Sequence, residues 1–203
     1  MIKHSPLIDN TDTAFLGIVS SDSLFTGQQL SDTMGITEGT LYNNDCGWLH
    51  FYVGENASCN RPRKPYEIFI SKKTLRYGIS WNHINSENGV EGKDVVANNG
   101  REYTCRLLTG KKSADSLDGM GSEWDSLIYR VHNDCVDNWV NMTNKDLGMQ
   151  YPITHGAFTW CQEYINTVAR VIRGGDNVST YTTGIYTSPY LDTGWRPVLI
   201  RQL

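Results

Sequence analysis

No apolar run in this 203-residue chain approaches the roughly eighteen residues that a membrane-spanning helix needs. The N-terminal stretch MIKHSPLIDNTD also lacks the apolar centre of a secretion signal. The sequence therefore predicts no membrane insertion and a protein made in the cytoplasm without an export route of its own. Positive charge is not in excess: 18 Lys and Arg stand against 22 Asp and Glu, a net charge of −4, which argues against nucleic acid as a partner. The short basic run Arg61-Pro-Arg-Lys64 reads as a solvated loop. Cysteine is sparse. Cys46, Cys59, Cys105, Cys135 and Cys161 include no CxxC spacing, so neither a zinc ribbon nor a thioredoxin-type site is supported. Their odd number argues against a complete disulfide framework. Most read as buried small hydrophobes, and a Cys46–Cys59 pair under oxidising conditions is the open alternative. His4, His50, His83, His132 and His155 form neither HxH nor HExxH, and there is no Gly-x-Ser-x-Gly elbow or P-loop. No catalytic residue, metal or cofactor is assigned.

The chain is rich in glycine (19) and tyrosine (11), with 39% hydrophobic residues and only 20% charged, the balance of a folded, loop-rich domain rather than a disordered one. Residues 1–46 look different from the rest and have too few apolar residues for a core of their own; they read as an N-terminal arm or docking segment. Within them a short helix is predicted from Thr26 to Met34, with Leu24, Leu30 and Met34 on one face and Gly35 ending it. From Gly47 onward strand signals take over. WLHFYV and YEIFISKKTL read as a hairpin or as consecutive antiparallel strands, and KDVVANNGREYTCRLLTG as a hairpin turning at Asn98-Asn99-Gly100. Short helices are predicted after Ser80 and after Ser122, the second with Trp124, Leu127, Ile128 and Val131 on one face. VDNWVNMTNKDLGMQYP reads as loop with a short helix, AFTWCQE as a short strand or turn, and ARVIRGG and GWRPVLIRQL as strands, the first left sharply at Gly174-Gly175 and the second opened by Pro197 as an edge or closing strand. The predicted class is α+β: antiparallel strands, two or three short helices and long loops.

Three segments near the C-terminus then stand out: Trp160-Cys-Gln-Glu163, Arg170-Val-Ile-Arg-Gly-Gly175 and Gly194-Trp-Arg-Pro-Val-Leu199. Together they resemble the closing signature of a C-type-lectin-like fold, of the variety found in formylglycine-generating enzymes and in phage and bacterial ligand-binding domains, with Trp195 where that group usually has Phe. A longer resemblance, over residues 47–203, runs through Gly47-Trp-Leu49, Leu75 to Trp81, Tyr103 to Gly110 and Gly121-Ser-Glu-Trp-Asp125. These segments are similar to a domain of tailed-phage virion proteins. The resemblance implies a C-type-lectin-like domain at 47–203, located in the virion, with other virion proteins as partners and a homo-oligomeric state. It marks Trp124, Trp160, Arg173, Gly174, Gly175, Trp195 and Arg196 as the structural signature. The reactive cysteine pair of the formylglycine generators is missing, since only Cys161 lies in that region, so their activity does not carry over. The Glu-Pro-Asn, Gln-Pro-Asp and Trp-Asn-Asp signatures of calcium-dependent sugar binding are missing too, and the fold name by itself does not imply sugar binding.

Between the last two segments lies a polar stretch, residues 176–192. It is expected to be a loop held by a rigid strand pair, the usual place for binding. Its Asn177, Ser179, Tyr181, Thr183, Tyr186 and Tyr190 mix rigid amphipathic rings with small polar groups, as binding surfaces do. The expected function is a non-enzymatic bacteriophage structural protein, a particle decoration or appendage component. The alternative is a tail or fibre adhesin that contacts a host cell-surface receptor through the 176–192 loop.

Overall fold

A computed structural model describes residues 13–55, 64–110, 121–133 and 139–203. Cys59, Cys135, His4 and residues 61–63 of the basic run lie outside them. The protein is α+β, with two six-stranded sheets and, among the described residues, three short helices. The first sheet runs β1 (Thr13–Val19), β3 (Trp48–Val53), β4 (Tyr66–Ser71), β12 (Pro197–Gln202), β7 (Glu102–Leu107), β6 (Lys93–Val96), antiparallel throughout. The second runs β10 (Tyr181–Ile185), β9 (Ala169–Gly174), β8 (Phe158–Tyr164), β11 (Thr193–Trp195), β5 (Arg76–Tyr77), β2 (Thr40–Leu41). Its β8–β11 pair is parallel and the rest are antiparallel.

The first sheet is apolar on both faces, so its strands carry nearly continuous apolar runs rather than clean alternation. Trp48, Phe69, Cys105 and Leu199 face one core with Leu30 and Met34 of helix α1 (Gly27–Met34) and Ile84 of α2 (Trp81–Ser86). Leu49, Phe51, Ile68, Ile70 and Val198 face a second core. There they meet Trp124, Leu127, Ile128 and Val131, which lie on a π-helical turn (Trp124–Ile128) continuing as α3 (Tyr129–Asn133). Local chemistry sets the helix starts. Thr26 and Gln29 form a reciprocal capping box on α1, Ser80 caps α2 by accepting from the His83 amide, and Ser122 accepts from the Asp125 amide. In place of the short helix expected within 136–152, residues 144–148 form turns closed by Thr143 and Asp146.

Two expectations about topology are corrected. Residues 13–46, read as an arm, are built into the body: β1 pairs with β3, β2 with β5, and Leu24, Phe25, Leu30, Met34 and Ile36 are buried in the first core. The 176–192 stretch is not all loop, because β10 lies inside it and pairs with β9. Pro197 opens β12, and of the two readings β12 is the closing strand, seated between β4 and β7 rather than at a sheet edge. The Gly174-Gly175 corner behaves as read. Both have positive φ (93° and 100°), and a β-carbon at Gly175 would lie 2.4 Å from the Phe158 ring.

β11 is narrow because it threads between β8 and β5. A β-carbon on Gly194 would lie 2.3 Å from the Arg76 carbonyl oxygen. Gly194→Ala is therefore expected to lower stability by about 1–3 kcal/mol by forcing the strands apart; an unchanged urea midpoint would disprove that close approach.

His50 on β3 stacks on Phe69 at 4.1 Å and bonds Glu67 at 3.2 Å. Burial holds its imidazole below the ordinary value of 6.5, against the opposing pull of Glu67. The unfolded chain takes up the proton more readily. The stabilising contribution is thus intact above 6.5 and is lost as pH falls below it. Between about pH 7.5 and about pH 5.5 the parent should lose more stability than His50→Gln, measured by urea unfolding. Equal losses would show that His50 does not titrate in this way.

Candidate binding groove

The predicted binding residues separate once folded. Asn177 and Ser179 are spent on their own turn: the Asn177 side-chain oxygen accepts from the Ser179 amide (2.9 Å) and hydroxyl (2.5 Å). Asp176 accepts from the Thr180 hydroxyl at 2.5 Å, which holds its carboxyl below the usual carboxylate range. Val178 between them is a buried anchor. Tyr181 packs on the second core, 5.7 Å from the Arg173 guanidinium, and burial pushes its hydroxyl up. Thr183 is exposed on the edge strand. Tyr186 lies 4.8 Å from the guanidinium of Arg170, which also lies 4.4 Å from the Trp81 ring and 5.9 Å from the Tyr164 ring. Tyr190 packs near Trp160, and its hydroxyl accepts from the Ile185 amide at 3.2 Å.

Beneath the hairpin lies a buried polar layer that carries most of the signature residues. Arg173 donates to Asp125 at 2.6 Å and to the Gly110 carbonyl at 3.4 Å. Arg196 is fully buried, donates to the Leu147 carbonyl and sits 5.5 Å from the Trp124 ring. Burial draws its guanidinium down to about 10, which still leaves it charged at neutral pH. Arg106 pairs with Glu123 through both carboxylate oxygens. The carboxylate of Glu163 accepts from the Gly110 amide at 3.0 Å. Trp160 donates to the Ile79 carbonyl at 2.8 Å, and Trp195 is fully buried beside it in the first core. Cys105 and Cys161 are buried, and burial pushes both thiols well up.

Of the predicted set, Tyr190 lines an open groove. The groove has a volume of about 570 Å³ and is formed by Ile153, Thr154, His155, Tyr190, Leu191 and Asp192. Its two walls are cross-tied: the Gly156 amide donates to the Leu191 carbonyl (3.1 Å) and the Phe158 amide to the Asp192 carbonyl (2.8 Å). The Thr74 hydroxyl holds the Gly156 carbonyl at 2.6 Å. Next to it is an aromatic ladder. His155 stacks on Tyr77 with centroids 4.6 Å apart and planes at 6°, and Tyr42 meets Tyr77 edge-on at 5.4 Å. Nothing in the sequence joins Asp192 to His155. Residues 153–155 and 190–192 are far apart in the chain, and only the parallel β8–β11 pairing brings them together. Arg76 was missed as well. It is buried and donates to the carbonyls of Thr37, Glu38 and Gly39, holding the β2 approach in place.

Among the described residues no three His, Cys, Asp or Glu side chains gather as a metal set, and no helix is long and apolar enough to cross a membrane. No protein-family model, curated protein or solved structure matches the chain.

Proposed function

We propose that the protein is a non-enzymatic structural component of a tailed-phage particle, a decoration or appendage protein built on a C-type-lectin-like domain. Its partners are other virion proteins and further copies of itself. One observation carries this reading: three of the segments behind the resemblance meet at one side chain. Trp124, from the Gly121–Asp125 segment, lies 5.7 Å from Arg173 of β9 and 5.5 Å from Arg196 beside β12, while its indole donates to the Val178 carbonyl at 2.7 Å. Residues scattered over the chain thus act as one structural motif. With residues 13–46 inside the body, docking on the particle would use a folded surface rather than an extended arm.

A second reading, a host-binding adhesin, is favoured by the groove at Tyr190 and Asp192. It moves the contact from the hairpin as a whole to its C-terminal end. Gold labelling of intact particles with an antibody to this chain tests both. Label over the head shell or along the tail is the expected result for decoration, and label at the tail tip or fibres for the adhesin. Unlabelled particles would overturn the virion reading.

A further inference from the structure

We propose that the groove between residues 153–155 and 190–192 is a binding site for a neutral saccharide. The proposal rests on the adhesin reading and names its ligand class. The walls are prepared before binding, because their backbones are tied to each other and to Thr74, so little ordering cost remains to oppose a weak ligand. The lining divides into apolar and polar parts. Leu191 and Ile153 are exposed (62% and 44%), and the His155 ring has one face on Tyr77 and is otherwise open to solvent. Exposed π faces attract the weakly positive C–H face of a pyranose ring. The polar groups suit hydroxyls. Asp192 has one carboxylate oxygen oriented by the Thr193 hydroxyl (3.0 Å), and the other has no partner among the described residues. Among the described residues the His155 ring nitrogens have no hydrogen-bond partner, and the Thr154 hydroxyl is engaged only by the Gln150 side-chain amide (3.1 Å). A carboxylate accepting from adjacent hydroxyls beside an imidazole and a hydroxyl matches a diol. One carboxylate and no Lys or Arg among the lining residues disfavour phosphate or acidic sugars, and the shallow, open form suits a flat ring better than a buried cofactor.

The test uses the full chain and saturation-transfer NMR with the methyl pyranosides of glucose, galactose, mannose and N-acetylglucosamine, and with methyl glucuronide as the anionic comparison. At least one neutral glycoside should bind with a Kd at or below about 1 mM, in preference to the glucuronide. Asp192→Asn and His155→Ala, each checked for an unchanged melting curve, should weaken binding about tenfold or more. Glu102→Gln, on exposed β7 surface, should bind like the parent. Silence across the neutral panel, preference for the glucuronide, or binding unaffected by both groove variants would each overturn the proposal. If Asp192→Asn weakens attachment to cells while no glycoside binds, the saccharide assignment fails and the adhesin reading stands. If glycosides bind as expected but particles carry no label, the virion reading fails and the saccharide site stands.

Discussion

Glu123→Ala is expected to destabilise the protein by about 3–5 kcal/mol, the largest single-site effect at any charged residue. The Glu123 carboxylate is 1% exposed, pairs both oxygens with Arg106, and also accepts from the Thr109 amide at 2.9 Å. Its own amide donates to the Thr109 hydroxyl at 2.8 Å. Arg106 is buried too, and Glu123 is the main group opposing the cost of burying its guanidinium. Removing Glu123 takes the paired carboxylate from that cation, which keeps its bond to the Leu107 carbonyl, and takes the acceptor from the Thr109 amide, in a medium that solvates both poorly. For a chain of this length the loss corresponds to about 6–20 °C in melting temperature. Glu123→Gln keeps the shape and one acceptor and should fall between the parent and Ala. Urea unfolding decides: a loss below about 1 kcal/mol for the Ala variant would mean that water or another group solvates Arg106.

Trp124→Ala should cost a comparable amount, about 3–5 kcal/mol. The ring is fully buried in the second core among Leu127, Ile128, Met149 and Val178, and the guanidinium groups of Arg173 and Arg196 lie over it. Truncation opens a cavity, leaves the Val178 carbonyl without its donor, and takes a π face away from two cations. Trp124→Phe separates these contributions, since it keeps most of the packing but loses the indole N–H; it should cost about 1–3 kcal/mol. Nearly equal losses for Phe and Ala would assign most of the effect to the hydrogen bond. If Trp124→Ala is almost neutral, this tryptophan is not the point on which the C-terminal segments converge, and the structural argument for the proposed function weakens with it.

The readable parts of the fold were those closed by contacts a few residues apart. Thr26 and Gln29 announce the start of α1, and Asn98-Asn99-Gly100 the β6–β7 turn, because the groups that satisfy the backbone are neighbours in the chain. WLHFYV and YEIFIS declare strands by composition, and Arg173, Gly174 and Gly175 were read as a strand that stops sharply. β10 escaped notice because Tyr-Thr-Thr-Gly-Ile is polar. It is a strand because β9 offers an edge to pair with, not because of its own apolar pattern.

The site divides in the same way. The stretch carrying Tyr181, Tyr186 and Tyr190 was marked by composition, but rings suited to binding a ligand are equally suited to packing on Arg173, Arg170 and Trp160. Composition does not say which. By itself the sequence determined the α+β class, the helix caps, the hairpins and the chemical character of the C-terminal segments, since each rests on local backbone and side-chain preferences. Tertiary structure alone decided that β12 lies between β4 and β7, that residues 13–46 belong to the body, and that His155 and Asp192 share a groove. Those outcomes depend on which distant strands pair, and pairing is chosen by the burial of both sheet faces at once rather than by any one segment.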